Sequence, residues 1–65
     1  MPQPNATRLV VTPLLVLRER AEARAYLFHN GFYETYQEAI GPLIVYAERH
    51  KIKGAIAVID AAFKV

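Results

Sequence analysis

The chain has 65 residues, a formal charge of +2, 54% apolar residues and no cysteine. That excludes a disulfide-stapled fold and thiolate metal sites, and so small a charge does not imply a polyanionic partner by itself. A single domain of this size buries only about 60% of its unfolded surface, so apolar surface shared with a second subunit would relieve the shortage of core.

The high apolar fraction argues against disorder. No run of eighteen apolar residues occurs, so neither a membrane span nor a membrane partner is expected. Arg8 precedes nine mostly apolar residues that end at Leu17. Pro13 and the charges that follow at once argue against a signal peptide, and a cytoplasmic location is the expectation.

Residues 1–7 (MPQPNAT) read as a flexible polar tail, and residues 8–65 as one helical domain. Leu9, Val10 and Val11 form a short extended arm, expected to lie over an apolar groove. The alternative is a short strand that pairs with its copy or with residues 55–59.

The first helix is predicted from Pro13 to about Asn30. Thr12 takes the N-cap, Pro13 the first position, where a missing N–H costs nothing, and Asn30-Gly31 the stop. Leu14, Leu17, Ala21, Ala25 and Phe28 share one face. Val16, Ala23 and Leu27 share a nearly opposite one, with Arg20 between them. A helix apolar on two sides should bury one against its own core and the other against something else. Arg18 and Glu22 stand four apart and can pair. Arg20 and Arg24, also four apart, carry like charges that suit a solvated face or a docked carboxylate or phosphate. Beyond the stop, one of Phe32 and Tyr33 is expected to fold back and close an end of the core.

Thr35-Tyr36-Gln37-Glu38 has the capping-box pattern. The hydroxyl would accept from the N–H of Glu38, and the carboxylate from the N–H of Thr35. Tyr36, Ala39, Ile40, Leu43, Ile44, Tyr46 and Ala47 form the stripe of a second helix that runs to about Lys51. Pro42 falls on its polar side and should kink it. A pair of shorter segments, the second starting at Pro42, is the other solution. Lys53-Gly54 is the expected stop. Residues 55–63 suit a short third helix with Ile56, Ile59, Ala62 and Phe63 on one side, although 55–59 alone would pass as a buried strand.

The predicted fold is therefore all-α: a small three-helix domain, its second helix kinked near Pro42, with a short extended N-terminal arm. Its core should centre on Leu14, Leu17, Ala21, Phe28, Ile40, Leu43, Ile44, Ala47, Ile59 and Phe63.

Little in the chain points to chemistry. His29 and His50 each fall at a helix C-terminus, where an imidazolium complements the dipole. The six acids are scattered, there is no serine, and three glycines do not build a phosphate-cradling loop. Neither an enzyme nor a cofactor or metal is expected. The leading expectation is a non-enzymatic interaction module. It would bind a second copy or another protein through Leu9, Val10, Val11, Val16, Arg20, Ala23 and Leu27. The alternative is nucleic-acid binding by the basic cluster Arg49, His50, Lys51 and Lys53. Against it, the helix that follows opens with Ala55-Ile56-Ala57-Val58-Ile59, which offers no side chain to hydrogen-bond a base edge.

Overall fold

A computed structural model describes residues 11–64 and shows three helices: α1 (Pro13–His29), α2 (Tyr36–Arg49) and α3 (Ala55–Phe63). The expected tail at 1–7, and Leu9 and Val10 of the expected arm, lie outside the described residues. Residues 55–59 open a helix, so they are not a strand partner for the arm. None of the described helices is long and apolar enough to cross a membrane.

Each helix start has a local cause. The Thr12 hydroxyl accepts from the N–H of Leu15 at 3.2 Å, with Pro13 in the first turn of α1. The Thr35 hydroxyl accepts from Glu38 at 3.1 Å. The other half of that capping box differs from expectation, because the Glu38 carboxylate accepts from the N–H of Glu34, at 2.9 Å. Both candidate N–H groups precede the helix and lack an intrahelical partner, so the exchange satisfies one orphan donor in place of the other.

Two helix ends use one geometry with different residues. At the end of α1 the Phe32 N–H donates to Leu27 and the Gly31 N–H to Phe28, with Gly31 left-handed at φ 83°. At the end of α2 the Ile52 N–H donates to Ala47 and the Lys51 N–H to Glu48, with Lys51 left-handed at φ 52°. Both are Schellman motifs, and the left-handed position favours glycine because a Cβ crowds the neighbouring carbonyl there. The expected stop at Lys53-Gly54 is thus corrected. α2 ends at Arg49, Lys51 makes the turn, and Gly54 caps α3 instead.

α2 is continuous through Pro42, so the two-segment alternative does not hold. A residue before proline normally avoids helical backbone because its Cβ meets the proline ring. Gly41 has no Cβ, and this removes the side-chain part of that clash.

Leu17, Leu43 and Ile59, one from each helix, are the largest fully buried side chains. Ala21, Ala25, Ala39, Ile40, Ala47 and Phe63 complete the buried set, with Phe28 and Ile44 half-buried against it. Leu14, expected in the core, is 46% exposed, because it stands at the open end of the cleft between α1 and α3 beside Val58. Ile56 is also exposed. The face of α3 that meets the core is filled by Ala55, Val58, Ile59, Ala62 and Phe63, and Ile56 lies off it. Phe28, Tyr36 and Phe63 close one end through edge-on and tilted ring contacts at 5.3–5.8 Å. Of the two aromatics after α1, Tyr33 packs half-buried against the core and Phe32 is exposed, so one of them folds back without becoming fully buried.

Thr35→Ala should lower stability by about 1 kcal/mol through loss of the hydroxyl acceptor. Lys51→Gly should raise it by up to about 1 kcal/mol by relieving the left-handed lysine. Urea denaturation midpoints test both, and an unchanged midpoint in either would contradict the corresponding cap.

Candidate functional site

Arg20, Ala23 and Leu27 of the expected association face line one groove between α1 and α2, together with Arg24, Tyr33, Pro42 and Leu43. The face therefore borders α2 instead of standing opposite the core. Val16 and Leu27 are half-buried, whereas Val11 and Ala23 are exposed.

The two arginines explain why α2 lies there. The Arg20 guanidinium stands over the Tyr46 ring, 4.8 Å from its centroid, and Tyr46 in turn stacks on His50 at 4.2 Å. Arg24 lies over the Tyr33 ring, also at 4.8 Å. Its Nε donates to the Ala39 carbonyl, and its Nη2 to the Glu38 carbonyl at 3.3 Å. The second bond has a specific origin. Pro42 has no N–H, and the Glu38 carbonyl, four residues earlier, is the acceptor its N–H would have served. Arg24 reaches across from α1 and satisfies that carbonyl. The arginine pair is thus engaged within the chain, by two aromatic rings and a broken helical ladder.

The basic cluster lies at the C-terminal end of α2, away from Arg24 and next to the Tyr46 ring that Arg20 covers. Arg49, His50, Lys51 and Lys53 are all exposed around the α2–α3 turn. Beside it, Ile44, Ala47, Ile52, Ile56 and Ile59 line an apolar groove bordered by Glu48 and Lys51. At the aromatic end, the Tyr36 hydroxyl donates to the Asp60 carboxylate at 3.4 Å. Burial, followed by the charge of Asp60 and this hydrogen bond, raises the Tyr36 phenol above its ordinary range. His29 caps the same end with its ring 5.6 Å from Phe28 and 6.4 Å from Phe63. Among the described residues no three histidines or acids are grouped to hold a metal ion.

No family model, curated protein or solved structure gave a significant match to this chain. Any functional reading therefore rests on these surfaces.

The link between Arg24 and Pro42 is open to a double-mutant cycle. Arg24→Met keeps the stem and removes both hydrogen bonds, and should cost about 1–3 kcal/mol. Pro42→Ala should keep the fold, with equal or higher helicity by circular dichroism, since alanine restores the N–H. In that background Arg24→Met should cost less, with a coupling of about 1 kcal/mol. Additive penalties in urea denaturation would show that the arginine does not answer the proline.

Proposed function

We propose that this protein is a non-enzymatic interaction module that self-associates through exposed apolar surface on α1. One observation carries the reading: the described chain leaves more large apolar side chains outside its core than it buries completely. Leu17, Leu43 and Ile59 are the largest that are fully buried, and four of the nine buried residues are alanines. Val11, Leu14, Tyr26, Phe32, Tyr36, Val45 and Ile56 are exposed. Scattered exposure is ordinary in a monomer. Here it accompanies a thin core, in a chain short enough for association to supply a material part of the stability.

Nucleic-acid binding by Arg49, His50, Lys51 and Lys53 is the second reading, favoured by the exposure of all four at one corner. Retention on a DNA column that falls steeply with salt would mark it, because phosphate contacts release counterions and apolar docking does not.

Sedimentation velocity over a concentration series tests the first reading. The parent should sediment faster as concentration rises. Leu14→Glu should weaken that trend without weakening the fold, because a carboxylate in the first turn complements the helix dipole. A parent that stays monomeric throughout would overturn the reading.

A further inference from the structure

Leu14, Arg18, Glu22 and Tyr26 follow one another at four-residue steps, and all four are exposed. Side chains at this spacing form one continuous ridge along a helix. Read from either end, the ridge is apolar, charged, charged, apolar, with opposite signs at its centre. Beside it runs a groove between α1 and α3, where Arg18 and Glu22 face Ala57, Val58, Ala61 and Ala62. The groove continues past Leu14 and Leu15 to Thr12, again along Arg18 and Val58. Ala57 and Ala61 are exposed and short, so the groove has room beside the ridge.

We infer that this ridge seats a second copy of the chain, related by a two-fold axis that runs between the two α1 helices, level with the midpoint of Arg18 and Glu22. The inference rests on the self-association proposed above and names its surface and register. A two-fold interface must be self-complementary, so that whenever one residue meets another the reverse contact forms as well. Antiparallel pairing places Arg18 against Glu22 of the second copy and Leu14 against its Tyr26, each twice. The short side chains of α3 that line the groove leave room beside the paired ridges. Parallel pairing would set Arg18 against its own copy and Glu22 against its own, so the charges select the antiparallel arrangement. This surface is separate from the face that carries Arg20 and Arg24, which α2 already occupies.

The test uses Arg18→Glu and Glu22→Arg as separate full-length proteins, alone and mixed in equal amounts. Circular dichroism first establishes that each is folded. Sedimentation velocity should show each variant associating at least about tenfold more weakly than the parent, since every intersubunit charge pair becomes repulsive. The mixture should recover association to within about threefold of the parent, because both pairs are then opposite in sign. Mixing does not restore a pair within one helix, so recovery is specific to contact between chains. A second measurement covers a variant that does not fold. Leu14→Cys and Tyr26→Cys copies, in a chain that has no cysteine of its own, should form a disulfide-linked mixed dimer on oxidation far more than either forms alone. Self-association of the parent without recovery in the mixture, or without preferential cross-linking, would overturn this register and leave the proposed function standing. A parent that remains monomeric to about 1 mM would overturn both.

Discussion

The arrangement of this domain turns on the guanidinium of Arg24. A proline in the middle of α2 leaves the Glu38 carbonyl without its helical donor, at an exposed position where Arg24 and water can both serve it. Arg24 supplies two donors from the neighbouring helix, one to Glu38 and one to Ala39. Its planar fork reaches both carbonyls together, so it ties the start of α2 to this point along α1, on top of the core packing that the two helices share. Arg20 over Tyr46, further along the two helices, fixes their direction. With Arg24 at the start of α2 and Arg20 near its end, α2 runs antiparallel to α1. Phe28 beside Phe63 at one end, and Leu15 beside Val58 at the other, give α3 the same sense as α1.

The three helices were legible in the sequence because their signals are local. Thr12-Pro13, Asn30-Gly31 and Thr35 through Glu38 each act within a few residues, and the stripe of α2 repeats without ambiguity. The structure departs from the expectation where a residue's partner is distant in sequence or where two residues can fill one role. Nothing near Arg24 announces that its acceptors lie fourteen and fifteen residues onward. The signal was present in another form, since a helical proline names the carbonyl it orphans and a search for a long donor opposite would have reached Arg24. Lys51 was missed because Gly54 nearby offered the better left-handed residue. The chain uses Gly54 to enter α3 and accepts lysine at the turn before it. Leu14 follows the spacing of the core face, but spacing gives no account of where a neighbouring helix stops covering it.

The two-sided character of α1 has a fuller explanation in three dimensions. Its apolar residues are spread around the circumference, and the structure divides that circumference into three sectors. Leu17, Ala21 and Ala25 meet the core. Arg20, Ala23, Arg24 and Leu27 border α2. Leu14, Arg18, Glu22 and Tyr26 remain outside, beside the groove of α3. The first two sectors are legible from spacing alone, and the second is the face expected to meet another chain. α2 of the same chain borders that sector and engages Arg20 and Arg24, while Ala23 stays exposed and Leu27 half-buried.

A small core sharpens the consequence of the third sector. Alanines at positions 21, 25, 39 and 47 allow the helices to approach closely, but each contributes little apolar area. Replacing them by larger residues would push apart helices that Arg24 also ties together, and overpacking carries its own cost. The domain therefore has limited room to gain stability inward. Outward, Leu14 and Tyr26 are already ordered on a helix that the core holds rigid, so covering them would require less ordering than covering a loop. Under the proposed two-fold arrangement, that same rigidity makes the exposed ridge of α1 the most economical place for so short a chain to extend its core.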